Sequence, residues 1–264
     1  GRDCGNDRRK REKMEERLNK WLSRMGVCSR READRLIEAG KVLVDNRPAS
    51  MGQKVTPGQK VVCNGRMVRV DKSRKPRPVL LAVNKPRGIV CTTTDKDRAE
   101  NIVDFLGYPE RIYPVGRLDK DSEGLLLMTN QGDLVNKIMR SGNAHEKEYI
   151  VTIDKPVTEH FLEQMAGGIR LPELDQVTRP CKVKKVERNT FSIILTQGLN
   201  RQIRRMCEVC GCQVRRLVRV RIMNIRLGNL RTGAYRQITK EEYEELTGLL
   251  KDSSSLSIKE RKNR

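Results

Sequence analysis

Aromatic residues are scarce in this sequence. Phe, Tyr and Trp make up 3% of 264 positions, and there is a single Trp. That argues against a broad platform on which successive nucleobases stack. Long apolar runs are also missing. None approaches the ~20 residues of a membrane-spanning helix, and no basic amphipathic helix carries the aromatic anchors of an interfacial one. The N-terminus is polar and charged, unlike a secretory signal. The only histidines are His145 and His160. Cysteines stand at 4, 28, 63, 91, 181, 207, 210 and 212, without the spacing of a disulfide framework, so a reducing, cytoplasmic compartment is expected. Cys207, Cys210 and Cys212 form C-x-x-C-x-C, but a closed zinc site needs four ligands and no second pair accompanies them. Cys207 also shares helical spacing with Ile203 and Met206, which points to core packing. No metal and no cofactor are expected.

What is abundant is positive charge. The chain carries 55 basic and 34 acidic residues, a net charge of +21. Such an excess implies a polyanionic partner, most often nucleic acid, and no membrane. Residues 1–78 hold 22 basic and 10 acidic residues, a net of +12, and the remainder carries +9. Between Leu199 and Arg236 there are ten arginines, no lysine and one acid, Glu208. Alternation at Arg219, Arg221 and Arg226 places them on one sheet face or rim, where guanidinium groups suit oriented phosphate.

The organisation reads as follows. Residues 1–16 are a charged, flexible arm. Residues 17–70 form a compact module. Leu18, Leu22 and Met25 recur at helical spacing beside Trp21. Ser29 and Glu32 make a capping box that opens a helix ending at Gly40. Short strands around Val42–Val44, Val55, Val61 and Met67 follow, separated by Pro-Gly and Asn-Gly turns. Residues 71–78, DKSRKPRP, are a semi-extended basic linker. Residues 79–250 read as an α+β domain, and residues 251–264 as a disordered tail. In that domain a strand, a Lys-Pro-Arg-Gly turn and a second strand are expected over VLLAVNKPRGIVCT. Further strands are expected at Arg111–Leu118, Leu125–Met128, KEYIVTI, Cys181–Val186, Phe191–Thr196 and Val214–Leu227. Helices fall at Asn101–Leu106, Asp133–Arg140, Thr158–Ala166 and Asn200–Val209, with a last one capped by Thr239 and Glu242. Strands outnumber helices and adjoin through short turns, so a mixed, largely antiparallel sheet with flanking helices is expected.

One stretch concentrates the chemistry. Residues 116–130, GRLDKDSEGLLLMTN, place Arg117 and Asp119 just before a turn and an apolar strand. NKPRGIV (Asn84 to Val90), EKEYIVT with Tyr149, and QGLNRQIRRM with Ile203-Arg204 come in an order and at a spacing that, together with the first stretch, resemble the RNA pseudouridine synthase family. The run RLNKWLSRMGVCSRREADRLIEAGKVLVDNRPA is similar to the S4 domain, a small RNA-binding fold. The likeness spans Arg17 to Leu250 and fits the branch of the family that carries an N-terminal S4 domain and modifies ribosomal RNA.

The resemblance implies a role for each position. Asp119 carries the reaction, Tyr149 is the active-site tyrosine, and Arg204 with Ile203 lies beneath the aspartate. Arg117 fills the space of a flipped-out base or holds phosphate, and Lys85 and Arg87 lie near the cleft. Lys20, Arg24, Arg30, Arg31 and Lys41 would hold RNA through the S4 module, with Arg201 and Arg205 doing so beside the catalytic centre. Asp121 is read as capping its turn with Ser122. The physics agrees. Making pseudouridine breaks N1–C1′ and joins C5 to C1′ without redox chemistry or phosphoryl transfer. An aspartate can act as nucleophile or as base, and a stacked uridine must first be flipped out. A guanidinium beside the carboxylate favours its charged form, and Arg204 is the expected partner. The implied substrate is ribosomal RNA, a large-subunit stem-loop, with small-subunit or transfer RNA as the alternative. A monomer is expected. The reading from another class is a non-catalytic RNA-binding or ribosome-assembly protein.

Overall fold

The computed structural model describes residues 15–68, 77–91 and 99–253. The arm up to residue 14, most of the linker and the tail from residue 254 lie outside the described residues. The chain forms two compact units, residues 1–77 with 109–111, and residues 78–108 with 112–264.

The first unit opens with a short strand β1 (Glu16–Arg17) and two helices, α1 (Leu18–Arg24) and α2 (Arg30–Glu38). Leu18, Trp21 and Leu22 are buried on α1, and Ala33 and Ile37 on α2. Burying Leu18 and Leu22 contributes ~1.5–3 kcal/mol each. Strand β4 (Lys54–Val55) pairs with β1. Strands β2 (Val42–Val44), β3 (Arg47–Pro48), β5 (Val61–Cys63) and β6 (Arg66–Val68) form a four-stranded antiparallel sheet in the order β3-β2-β5-β6. Ser29 caps α2 by accepting from the Glu32 N–H at 3.0 Å. The Glu32 carboxylate turns to Arg35 at 2.5 Å, so only half of the expected capping box forms.

The second unit is built on one nine-stranded mixed sheet. Its elements are β7 (Leu80–Lys85), α3 (Ile102–Leu106), β8 (Tyr113–Pro114), β9 (Glu123–Thr129), α4 (Gly132–Met139), β10 (Lys147–Ile153) and α5 (Glu159–Gly167). After the small hairpin of β11 (Arg170–Leu171) and β12 (Gln176–Val177) come β13 (Lys182–Glu187), β14 (Thr190–Leu195), α6 (Gln202–Val209), β15 (Val214–Ile222), β16 (Ile225–Arg226), β17 (Tyr235–Gln237) and α7 (Lys240–Leu249). The main path runs β13-β14-β10-β15-β9-β7-β17, with β16 on β15 and β8 on β9. Every pair is antiparallel except β15 with β9 in the middle.

Strand β9 is buried on both faces from Gly124 to Thr129. Leu125 and Leu127 join a cluster with Leu134, Ile138 and Leu246, whereas Leu126 and Met128 join one with Leu81, Val83 and Ile102. A third cluster gathers Val151, Phe191, Ile193, Ile203, Met206 and Leu217. Cys207 and Cys212 belong to it, and the Cys212 thiol donates to the Cys207 carbonyl at 3.4 Å. At the C-terminal end Thr239 and Glu242 form a full capping box. Arg236 also grips Glu242 at 2.6 and 2.9 Å and holds its carboxyl down at about 2.

Two expected strands shrink. Arg111–Leu118 is extended only at Tyr113–Pro114, because Gly116 takes a positive φ of 77° and turns the chain out of the sheet. After the Lys-Pro-Arg-Gly turn there is no second strand among the described residues, only a bridge from Val90 to Asn101.

Candidate active site

Asp119 sits in the turn that leads into β9, not at a strand end. The Ser122 N–H closes this turn on the Asp119 carbonyl at 3.0 Å. Leu118, which is buried, anchors its approach in the cluster of Leu126 and Met128. A second turn, residues 86–89, clasps it. The Gly88 N–H donates to the Lys120 carbonyl at 2.7 Å. Lys85 completes the clasp from beneath, its ammonium donating to the carbonyls of Ile89 at 2.8 Å, Pro86 at 2.9 Å and Lys120 at 3.4 Å. Lys85 is 0% exposed, so it cannot meet RNA as the sequence suggested. It ties the Asp119 turn to the sheet, and burial pushes its pKa below the ordinary lysine value.

Two guanidinium groups from α6 and its N-terminal boundary close over this turn, and their partners differ from expectation. Arg201, not Arg204, reaches Asp119, with Nη1 at 3.4 Å from Oδ2. Arg201 also makes two 3.2 Å bonds to the Asp121 carboxylate. Its backbone is left-handed, with φ 48° and ψ 38°, a conformation unusual for a non-glycine residue. Arg204 donates to the Asp121 carbonyl and to Ser122 Oγ, both at 3.1 Å, and its Nη1 lies 3.6 Å from Asp121 Oδ2. Asp121 is therefore the shared anion of both arginines and not a turn cap. The hydrogen bonds from Arg201, with the Arg204 charge behind them, hold its carboxyl below the usual carboxylate range. Arg204 is pushed below its ordinary value by burial, and the neighbouring Arg201 charge adds to the effect.

The sheet beneath presents one row of residues across four strands. Lys85 pairs with Gly124, Gly124 with Arg219, and Arg219 with Tyr149. Gly124 has φ 104°, and a Cβ there would meet the Arg219 carbonyl oxygen at 2.3 Å and its nitrogen at 2.8 Å. Only glycine lets β9 and β15 approach this closely. Tyr149 is half-buried and packs against the cluster that contains Ile203.

The remaining candidates separate into free and engaged groups. Arg87 and Arg117 are exposed, as are Lys20, Arg30, Arg31 and Lys41 in the first unit. Arg24 is taken by Glu16 at 2.8 Å. Arg205 is taken by Glu173 and by the carbonyl and side chain of Asn200, so neither offers a free cation to RNA. Of the expected arginine rim, Arg226 is exposed on β16, whereas Arg219 and Arg221 of β15 are buried or engaged. Arg219 is 3% exposed, Arg221 pairs with Glu146 and Glu148, and Arg216 pairs with Glu123. Gly124 and Lys147 are not among the residues that the sequence marks for the site. A glycine inside an apolar strand does signal close backbone approach, whereas nothing local marks a strand lysine as half-buried. Among the described residues no group of three or more His, Cys, Asp or Glu could hold a metal ion, and no helix is long and apolar enough to cross a membrane.

Comparison with known proteins gives this arrangement a lineage. The RNA pseudouridylate synthase family profile matches residues 79–209, and the S4 domain profile matches residues 16–61. The chain is 52% identical over 239 residues to the dual-specificity RNA pseudouridine synthase RluF of Escherichia coli K12, covering 90% of this chain and 81% of that protein. It is 36% identical over 242 residues to the ribosomal large subunit pseudouridine synthase B of Bacillus subtilis, covering 89% and 96%. A crystal structure of a pseudouridylate synthase superposes with a TM-score of 0.62 at 26% identity, over 87% of this chain and 99% of the other. The chain belongs to the RNA pseudouridine synthase family, as an S4-domain-bearing isomerase that acts on RNA.

Proposed function

We propose that this enzyme converts a specific uridine of large-subunit ribosomal RNA to pseudouridine, with Asp119 as the reacting carboxylate. The observation that carries this reading is the placement of Asp119. It projects from a doubly clasped turn, in contact with Arg201, and Lys85 ties that turn to the sheet row that contains Tyr149. A carboxylate so held is oriented, as either nucleophilic attack at the sugar or removal of the C2′ proton requires. Tyr149 offers a ring face to the flipped uracil. Arg117 and Arg87 are exposed and suited to the displaced strand or its phosphates. Arg204 acts through Asp121 and Ser122, fixing the turn from which Asp119 projects. The reaction is an isomerisation, so no cofactor is proposed. A monomer working in the cytoplasm, where ribosomal RNA is assembled, fits this reading.

The ribosomal target is supported by the large-subunit enzyme among the relatives. Transfer RNA is proposed as a second substrate, because the Escherichia coli relative bears a dual-specificity name. Pseudouridine maps of ribosomal and transfer RNA, from cells with and without this protein, test both. Loss of at least one large-subunit site on deletion is expected; maps unchanged in ribosomal RNA would overturn the assignment.

Two further outcomes follow from the charges. Asp121→Asn loosens Arg201 and Arg204 together, and turnover should fall about tenfold, since charge-assisted bonds are worth ~1.5–3 kcal/mol and these are partly screened. Single-turnover rates at saturating enzyme check this. Arg30→Glu with Arg31→Glu should weaken RNA binding and lower the slope of log affinity against log salt by about 1–2, as fewer counterions are released. Both residues lie in the first turn of a helix that Ser29 caps, so the fold should be untouched. An unchanged slope would show that this helix end does not touch RNA.

A further inference from the structure

The sheet floor holds a second cationic feature that the roles assigned so far do not use. Lys147 lies two residues before Tyr149 on β10, so alternation puts both side chains on one face. Arg219 stands opposite Tyr149 in the register. Among the described residues no carboxylate contacts either cation. Arg219 Nε donates to the Leu125 carbonyl at 2.7 Å, while its buried Nη2 has no hydrogen-bond partner among the described residues. The Lys147 ammonium makes no hydrogen bond or ion pair among the described residues. The register neighbours of Lys147 are apolar, Leu195 on β14 and Ile222 on β15. The charged or titratable groups facing it are Arg219 from β15, His145 from the segment before β10, and Tyr149 on its own strand. Glu148 alternates to the other face, where it pairs with Arg221. Burial and the Arg219 charge bring Lys147 down to about 8.

A buried guanidinium beside a half-buried ammonium, with no anion among the described residues to pair them, is costly to the folded chain. An anion that arises during the reaction would relieve the cost. When N1–C1′ breaks, its electron pair stays with the uracil, and the negative charge spreads over N1 and the carbonyl oxygens. We infer that Lys147 donates a hydrogen bond to a carbonyl oxygen of the detached uracil, and that Arg219, as a positioning residue, keeps an unneutralised positive charge beside Tyr149 to hold that anion. The base then turns, C5 forms its bond to C1′, the C5 proton leaves to a base, and N1 takes up a proton. Composition is unchanged, as isomerisation requires. A backbone phosphate is the poorer candidate for this pair, because Arg219 is 3% exposed whereas Arg87 and Arg117 are available at the surface. Preorganised donors aimed at developing charge are among the largest contributions to catalysis.

This inference rests on the reading that uridine reacts at Asp119, and the test keeps the two apart. Single-turnover rates at saturating enzyme are measured from neutral to alkaline pH for the wild type, Lys147→Arg and Lys147→Met, with RNA affinity across a salt series. In the wild type the rate should fall as pH rises through about 8, where Lys147 loses its proton. Lys147→Arg should retain most of the rate and lose that alkaline limb. Lys147→Met should be about 100-fold slower at neutral pH and should converge with the wild type above about pH 8, with RNA affinity and salt slope unchanged. If Lys147→Met does not fold, the wild type and Lys147→Arg decide alone. A limb that persists in Lys147→Arg assigns the titration to another group and overturns the inference. So does weaker binding with a shallower salt slope and an intact saturated rate, which would make Lys147 a phosphate contact. If Asp119→Asn is inactive while Lys147→Met turns over normally, this inference alone fails. If Asp119→Asn is active, the reading beneath it fails.

Discussion

Asp119→Asn is expected to stop isomerisation while RNA binding persists. Asparagine keeps the shape of the side chain and can still accept a hydrogen bond from Arg201. It cannot supply a negative charge to attack the sugar or to take its proton. Loss of a reacting carboxylate should slow turnover by about 1,000-fold or more. The turn itself should survive. It is held by the Ser122 N–H on the Asp119 carbonyl and by the Gly88 and Lys85 clasp on the Lys120 carbonyl, all independent of the Asp119 side chain. Affinity for a cognate stem-loop should therefore match the wild type. Substantial pseudouridine after prolonged incubation with the variant would remove Asp119 from the chemistry.

Gly124→Ala should have the largest effect on the fold. A Cβ at this position would enter the Arg219 backbone from 2.3 Å, with φ at 104° adding strain of its own. Neither partner can yield, because both lie in the central parallel pair of the sheet. A loss of about 2–4 kcal/mol is expected, read as a lowered urea midpoint with an unchanged slope. The same shift would spoil the row of Lys85, Arg219 and Tyr149, so activity should fall below what the folded fraction explains. Gly167→Ala is the internal control. Gly167 ends α5 with open space around its Cα, and alanine there should be neutral or stabilising by about 0.5–1 kcal/mol. Equal destabilisation by both variants would contradict the close-approach account.

Local chemistry made much of this fold legible. Strand β10 covers the same seven residues, KEYIVTI, that the sequence predicts. Ser29, Asn101, Thr158 and Thr239 each cap the helix that the sequence assigns them, because a side-chain oxygen next to a free N–H is decided within four residues. The candidate site was legible to the position of Asp119 and no further. Whether Arg201 or Arg204 meets that carboxylate depends on the left-handed backbone at Arg201, which no local signal announces in a non-glycine residue. Lys85 looked like a surface cation, since lysine is almost always solvated. Its acceptors are three carbonyls from two turns 35 residues apart, at Lys85 itself and Lys120, assembled only by tertiary folding. The arginines of β15 failed as a rim for the same reason. Their partners Glu123, Glu146 and Glu148 are distant in sequence and adjacent in the sheet.

Asp119 is proposed to drive exchange of the uracil N1–C1′ bond for a C5–C1′ bond. Forming that bond expels the hydrogen at C5, so RNA carrying tritium at uridine C5 reports the event directly. Purified protein and its Asp119→Asn variant are incubated with labelled large-subunit RNA, and tritium released to water is counted. One tritium per RNA from the wild type and none from the variant is the result the account predicts. Release by the variant at the wild-type rate, or none from a wild type that binds the RNA, would contradict it.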